Sequence, residues 1–420
     1  MSIIEEWGKL YKLRFSLQKT CMLPITYRRR LSLADPPEVK LYGHAIRAVA
    51  ELKYLGVIWD GGLTFHSHFK DRKVTIVSLS YRLTLTVCKW YSKQHCLLKR
   101  IYKGALEPKA LYGHGAWGHR LKLKTFCEYL NVVQRRPLLA MTRAYRTSST
   151  LSLQVLAGVP PLDLRAIETY ATFLVLRARK DITVYSESFH YEDYVRMESP
   201  FLTHPAVKDG IGFDWKEPKG EGLEVLTDGS SINDKIGAAM VVLYFGQMIH
   251  SERVRLGDHC TVYQAELIGL KLAAEFILTL TTTRRVNIYS DSRSALQSLA
   301  DPTNTHPLVG EVKRLLKRAR SERGVFLHWV KAHVGYHGNE LADGEAKAAA
   351  VSLDLPVSSS RFKCKLKSIM IQAWQDHWDF TPNKGKFTPS IIPKVSLKTH
   401  FWGEMAELFT GHGRFPAHLY

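Results

Sequence analysis

Along the second half of the chain the hydrophobic residues switch between two periods. LEVLTD (Leu223 to Asp228), IGAAMVVLYFG (Ile236 to Gly246) and QMIHSERVRLG (Gln247 to Gly257) are short β-rich runs separated by turns, and they predict three consecutive strands able to close as hairpins. TVYQAELIGLKLAAEFILTL (Thr261 to Leu280) then repeats at helical spacing over some five turns. A strand, RRVNIYSD (Arg284 to Asp291), a short helix from Ser292, a basic helix in HPLVGEVKRLLKRARSERG, a strand in VFLHWVKAH (Val325 to His333) and a last helix in NELADGEAKAAA complete the series. The order βββαβααβα predicts an α/β fold, a mixed five-stranded sheet with flanking helices.

The first half is patterned differently. A β-rich stretch ending in LKYLGVIWD (Leu52 to Asp60) breaks at Gly61-Gly62, and from His66 to about Leu156 apolar residues recur at three and four with Lys and Arg between them. That pattern predicts basic amphipathic helices. Gly158-Val159-Pro160-Pro161 punctuates the series, one further helix follows, and the polar, Pro- and Gly-bearing run from Ser186 to Gly222 reads as a linker. The expected organisation is therefore a β-containing piece (1–65), a mostly helical basic module (66–185), a linker (186–222), the α/β domain (223–350) and a tail (351–420) with a Trp-containing amphipathic stretch.

Charge sharpens this division. The chain of 420 residues carries a formal net charge of +20, and residues 1–150 alone hold 27 basic against 9 acidic side chains. The basic excess thus sits in the helical module, whose expected partner is a polyanion, nucleic acid before acidic membrane. Six cysteines, Cys21, Cys88, Cys96, Cys127, Cys260 and Cys364, form neither a CxxC pair nor a zinc-spaced quartet, which predicts a reducing intracellular compartment without saying whether nucleus or cytoplasm. Neither a signal-peptide pattern nor an apolar run of membrane-spanning length occurs, so no membrane partner is expected. No protein partner is inferable from the sequence.

Four acids in the α/β domain stand where a solvated-face explanation works poorly. Asp228 ends an apolar strand, Glu266 lies on a largely apolar helix, Asp291 ends VNIYSD, and Asp343 falls early in the helix after HVGYHGNE. Each alone has an ordinary explanation: Asp-Gly is common hairpin chemistry, Asp291 ahead of Ser-Arg-Ser could be a helix cap, and a lone His333 is more often a loop residue than a catalyst. Together, carboxylates at the carboxyl ends of adjacent strands converge on the ligand-binding edge of such a sheet. Converging carboxylates repel one another unless hard cations such as Mg²⁺ neutralise them, and four could hold the two metals of a phosphoryl-transfer centre.

TDGS (Thr227 to Ser230), QAEL (Gln264 to Leu267), YSDSRSAL (Tyr289 to Leu296) and WVKAHVGYHGNELAD (Trp329 to Asp343), in that order, resemble the type 1 ribonuclease H domain. The resemblance implies a Mg²⁺-dependent endonuclease that cuts the RNA strand of RNA/DNA hybrids, with two ions for which Mn²⁺ can substitute. It implies Asp228, Glu266, Asp291 and Asp343 as metal ligands, His333 as a mobile proton-transfer residue, and contacts to the 2′-OH and phosphates from Gly229, Ser230 and Ser292. A DDE-type transposase or integrase on the same general fold lacks the Glu266-in-helix and KAHVG features.

FSLQKT (Phe15 to Thr20), LKYLGVIWDGGLTFHSH (Leu52 to His68) and NVVQRRPLLAMTRAYRTSSTLSLQVLAGVPPL (Asn131 to Leu162) resemble the last palm segments, primer-gripping hairpin and helical thumb of a non-LTR retrotransposon reverse transcriptase. No YxDD-like or FxDD-like polymerase motif occurs in this chain. The resemblance therefore implies part of a retrotransposon polyprotein with a complete hydrolase and no polymerase centre of its own. The alternative function is a nucleic-acid-binding protein whose ribonuclease domain is folded but silent.

Overall fold

The computed structural model describes residues 2–25, 38–90, 95–196, 210–220, 222–233, 235–281, 285–332, 334–349, 352–353, 355–381, 387–399 and 404–413. The basic run Tyr27 to Arg30 and His333 lie outside the described residues. The chain forms two compact units, one of Met1–Phe173 with Leu366–Tyr420 and one of Leu174–Lys365.

In the first unit, Glu51–Tyr54 and Val57–Asp60 pair as an antiparallel hairpin. Leu55 and Gly56 both take positive φ, 47° and 79°, the two-residue turn whose twist matches that of the strands. Asp60 then stops the hairpin and starts a helix: its carboxylate accepts hydrogen bonds from the backbone N–H groups of Gly62, Thr64 and Phe65, just ahead of the helix His66–Trp90. The core gathers Phe65, Phe69, Trp117, Phe126 and Leu138 from the hairpin end and successive helices. Within it lies a buried polar knot, in which Gln134 Nε2 donates to Tyr102 Oη and Pro160 O while Gln134 Oε1 accepts from Gln154 Nε2 and the Leu162 N–H.

The chain's last segment also belongs to this unit. Trp374 and Trp378 pack with Val155, Leu156 and Leu164, and the Trp378 indole N–H donates to Ile392 O at 2.9 Å. Lys99 Nζ reaches Leu397 O and Thr399 Oγ1. At Gly158, φ is +59° and an added Cβ would meet Lys398 O at 2.1 Å, so only glycine lets the segment pass so close to the helix end.

The second unit contains the sheet. Its main strands are β1 (Leu223–Ile232), β2 (Lys235–Tyr244), β3 (Gln247–Leu256), β4 (Val286–Ser290) and β5 (Val325–Trp329). Its helices are α1 (Val262–Thr279), α2 (Arg293–Ala300), α3 (Pro307–Arg323) and α4 (His337–Lys347). The spatial order is β3-β2-β1-β4-β5, antiparallel from β3 to β1 and parallel from β1 to β5. This is the expected mixed sheet, widened by two-residue strands at both edges: Ser352–Leu353 beside β3 and Asp214–Trp215 beside β5.

Asp214–Trp215 falls in the stretch read as linker, too short and polar to show a strand period. It is fastened by tertiary contacts instead: Asp214 bonds the buried His328, Arg320 Nη2 donates to Gly212 O at 2.8 Å, and the Ile211 N–H donates to Leu299 O. Helices α1, α2 and α3 build one core face with Val225, Ile288 and Leu327, while Ala342 of α4 packs on the other with Leu226, Val241 and Tyr289. Because both faces are covered, β1 is buried continuously from Leu223 to Gly229 and β2 from Ile236 to Leu243, rather than at alternate positions.

Candidate metal centre

Strand register brings the acids together. In the parallel β1/β4 ladder the last pair is Thr227 with Ser290, so Asp228 and Asp291, one residue further on, adjoin at the carboxyl edge. Glu266 comes from the first turns of α1, which starts with a capping box: Thr261 Oγ1 accepts from the Gln264 N–H and the Gln264 side chain accepts from the Thr261 N–H. That box fixes which helix residue faces Asp228. Gly229 lets the helix come in, since a Cβ there would stand 2.5 Å from Glu266 N.

One carboxylate oxygen from each of Asp228, Glu266 and Asp291 can be chosen so that all three lie within 4.8 Å of one another. Asp343 sits in the second turn of α4, later than expected because the helix begins at His337. It is not part of that group of three, and its Oδ2 is paired with the Lys347 ammonium four residues on. Its charge still reaches Asp228. Ser292 is the N-cap of α2, its hydroxyl accepting from the Ala295 N–H, and Ser230 is half-buried on β1 opposite Gly237 of β2.

The electrostatics are those of anions short of a counter-charge. Asp228 is pushed up to about 7, first by burial, then by the charges of Asp291 and Asp343, against which a backbone N–H at Gly229 and the Lys347 ammonium act only in part. Glu266 is pushed up to about 9, by burial and then by Asp228 and Asp291. Glu266 Oε2 is buried without a hydrogen-bond partner among the described residues. A buried acceptor that no described group satisfies, among hard oxygen donors that repel one another, is what a divalent cation would complete.

Two groups at the site are not evident from sequence pattern. Asn339 Nδ2 donates to Asp291 Oδ2 at 3.2 Å, and the Trp329 indole N–H donates to Asp291 O at 3.0 Å. The Asn in HGNELAD, three residues into the helix that bears Asp343, is the available signal for the first; its buried position shows only in three dimensions.

Residues 220–351 match the family model described as RNase H. This stretch is a ribonuclease H domain. Several curated relatives come from type-1 retrotransposable elements. The chain is 29% identical over 166 residues to a 115 kDa protein in the type-1 retrotransposable element R1DM of Drosophila melanogaster. It is 31% identical over 167 residues to a retrovirus-related Pol polyprotein from the type-1 retrotransposable element R1 of Bradysia coprophila. Each match takes in 40% of this chain and 16% of the relative, so the chain spans under a fifth of their length. A second Pol polyprotein, from Nasonia vitripennis, is 26% identical over 216 residues, covering 50% of this chain and 58% of that protein. Among solved structures, the N-terminal ribonuclease H domain of a Mycobacterium tuberculosis protein, fused to maltose-binding protein, matches with 20% identity and a TM-score of 0.26, over 31% of this chain and 93% of that one. By its relatives, the chain is similar to the part of a retrotransposon polyprotein that carries a ribonuclease H domain. Among the described residues, no helix is long and apolar enough to cross a membrane.

Proposed function

We propose that the second unit hydrolyses the RNA strand of RNA/DNA hybrids in a reaction that requires Mg²⁺, with Mn²⁺ able to replace it, and that Asp228, Glu266, Asp291 and Asp343 hold two ions. The observation that carries this reading is the group of three clustered carboxylates with Glu266 Oε2 lacking a partner among the described residues. Bound there, the ions would supply a nucleophilic water at neutral pH and stabilise negative charge on the departing 3′-oxygen.

The protein's own groups do the rest. Asn339, donating to the Asp291 carboxylate, and the Trp329 indole N–H, donating to the Asp291 carbonyl, hold Asp291 in orientation. Gly229, Ser230 and Ser292, at the same sheet edge, offer backbone and hydroxyl groups to the 2′-OH and phosphates, which distinguishes RNA from DNA. His333, which follows β5 and precedes α4 in the chain, carries protons to or from the reacting oxygens. The basic helical module of the first unit, thumb-like in its resemblance, grips the duplex through phosphates. The natural setting is a retrotransposon polyprotein and the partner is nucleic acid.

The test is cleavage of an end-labelled RNA/DNA hybrid with and without Mg²⁺, alongside Asp228→Asn. Cleavage to 5′-phosphate and 3′-hydroxyl products that needs Mg²⁺ and disappears in Asp228→Asn supports the reading. A wild-type chain that binds hybrid and never cuts it would establish the silent, binding-only alternative.

A further inference from the structure

The first unit carries a surface cavity of about 200 Å³ that none of the roles above uses. It is lined by His66, Phe69 and Lys70 of the helix His66–Trp90 and by Thr125, Phe126 and Tyr129 of the helix Lys124–Thr142. Phe69 and Phe126 are buried and form its floor, Tyr129 is a half-buried wall, and His66, Lys70 and Thr125 are exposed at the rim. The floor is held by its own packing. Phe69 meets Phe126 and Trp117 edge to face, with centroids 4.7 and 4.8 Å away, and the Tyr129 hydroxyl donates to Phe69 O at 2.6 Å. A ligand therefore meets rings that are already in place.

Volume and chemistry narrow what such a cavity takes. Pockets for whole drug-sized ligands run from about 300 to 1,000 Å³, so this one suits a single planar ring rather than a free cofactor. Its lining offers aromatic rings and cations, with no carboxylate among them. Asp71, next in the chain to Lys70, is taken up by Arg72. The Lys73 ammonium lies 5.6 Å from the Tyr129 ring centroid and the Arg120 guanidinium 5.2 Å from that of Phe126, so further cations flank two of the three rings. The helix Lys124–Thr142 starts beside Thr125 with no side-chain cap and no acid in its first turn, which leaves backbone N–H groups at the rim without a side-chain acceptor. A flat ring attached to an anion answers all of these features, and every base of an unpaired strand has that form. An acidic peptide would satisfy the cations but leave the rings uncovered. In a duplex each base is covered on both faces by its neighbours and cannot enter.

We infer that this cavity seats one unpaired base of a single-stranded nucleic acid, stacked against Phe126 and Tyr129, with the adjoining phosphate at Lys70. The inference rests on the reading that the first unit meets nucleic acid, and it adds a preference for unpaired strands that phosphate contacts to a duplex do not supply. The full chain is titrated, in EDTA, into two fluorescent eight-nucleotide DNA single strands of equal charge, one with bases and one abasic throughout. The wild type should bind the first more tightly by about 5- to 100-fold, the size of one base–aromatic stack. Thr125→Phe, which puts a ring into the cavity from an exposed position, and Tyr129→Leu, which removes a wall, should each bring that ratio down towards one. Tyr129→Phe keeps the ring and should keep the ratio. Lys70→Gln should weaken both strands alike and flatten the plot of log K against log salt by about 0.7, one phosphate contact on a single strand.

A 2-aminopurine placed in the strand should lose fluorescence on binding the wild type and keep it with Thr125→Phe. A wild-type ratio near one, or a ratio that survives both Thr125→Phe and Tyr129→Leu in protein whose circular dichroism is unchanged, would overturn the proposal. So would a polyglutamate peptide that binds in a Thr125-dependent way where the strand does not, because it would assign the cavity to a protein partner. A blunt RNA/DNA hybrid is titrated alongside, and its affinity should be the same for wild type and Thr125→Phe; equal losses on hybrid and single strand would also sink the base pocket. If the wild type fails to bind the blunt hybrid while the single-strand ratio holds, the duplex grip proposed above fails and the cavity stands.

Discussion

Gly229 of β1 and Glu266 of α1 are in backbone contact: a Cβ on the first would stand 2.5 Å from the nitrogen of the second. Four positions along the strand-facing side of α1 from Ala265, Gly269 makes a second close approach, 3.1 Å from Ala239 O and 3.4 Å from Asp228 O by the same measure. The helix that carries Glu266 is thus pressed against the strand that carries Asp228 at two glycines, and the separation of the two carboxylates depends on it. Gly229→Ala should push α1 outward, costing about 1–3 kcal/mol as overpacking does and cutting hybrid cleavage more than 10-fold. Thermal unfolding and single-turnover rates measure the two effects; a variant with unchanged rate would show that this contact does not set the site.

The raised acids give the metal-free protein a characteristic pH dependence. Asp228 rises from 3.8 to about 7 and Glu266 from 4.5 to about 9, so the folded state holds these protons more tightly than the unfolded one. Stability from this source is complete below about pH 4 and is lost as pH climbs through 7 towards 9, each tenfold difference in proton affinity between the two states being worth about 1.4 kcal/mol. In EDTA the unfolding midpoint should fall by several degrees between pH 5 and pH 9, and saturating Mg²⁺ should flatten the decline. Asp228→Asn, which removes charge and little volume, should raise the metal-free midpoint at pH 8 while abolishing cleavage. A metal-free midpoint that holds steady or rises over this range contradicts the placement of these charges.

Asn339→Ala removes the amide that orients Asp291 from α4. Groups that orient metal ligands from behind typically contribute 10- to 100-fold in affinity or rate. The expected result is a 10-fold or greater rise in the Mg²⁺ concentration for half-maximal cleavage with the fold intact. Asn339→Asp should be worse than Asn339→Ala, because it adds an anion to the cluster. Equal metal dependence in all three proteins would remove Asn339 from the site.

The charge map predicts where affinity for duplex resides. Residues 1–150 hold 27 basic against 9 acidic side chains, whereas residues 223–350 hold 15 against 14. Fluorescence anisotropy across a salt series should give a steep slope for the full chain and a shallow one for residues 174–365. Equal slopes would mean that the basic helices do not touch the nucleic acid.

The site is legible in the sequence to the extent that local pattern determines it. The order of elements, the strand ends at Asp228 and Asp291 and the helix bearing Glu266 all follow from period and turn chemistry, because each acid is fixed by the element it terminates or rides on. Asn339 and Lys347 are not legible, since their significance lies in which neighbour α4 faces, a matter of packing on β1 and β2. The edge strand Asp214–Trp215 is hidden for a similar reason: two residues carry no period, and only bonds from Asp214 to His328 and from Arg320 to Gly212 define it. The tail's two tryptophans announce an amphipathic stretch, but nothing local says that its partners are Val155 and Leu164.

That last pairing bears on how the chain is made. The first unit takes in Met1–Phe173, yet Trp374 and Trp378 pack with its Val155 and Leu164, with the whole of Leu174–Lys365 synthesised in between. At translation rates of about 5–20 residues per second, the early helices wait on the order of tens of seconds for these side chains to emerge. During that interval the surface around Val155, Leu156 and Leu164 is open to other molecules, while the unit that carries the carboxylates can already close. The cluster around Val155 and Leu164 therefore closes only after the whole of the second unit has been made, although the larger core of the first unit draws on none of those late residues.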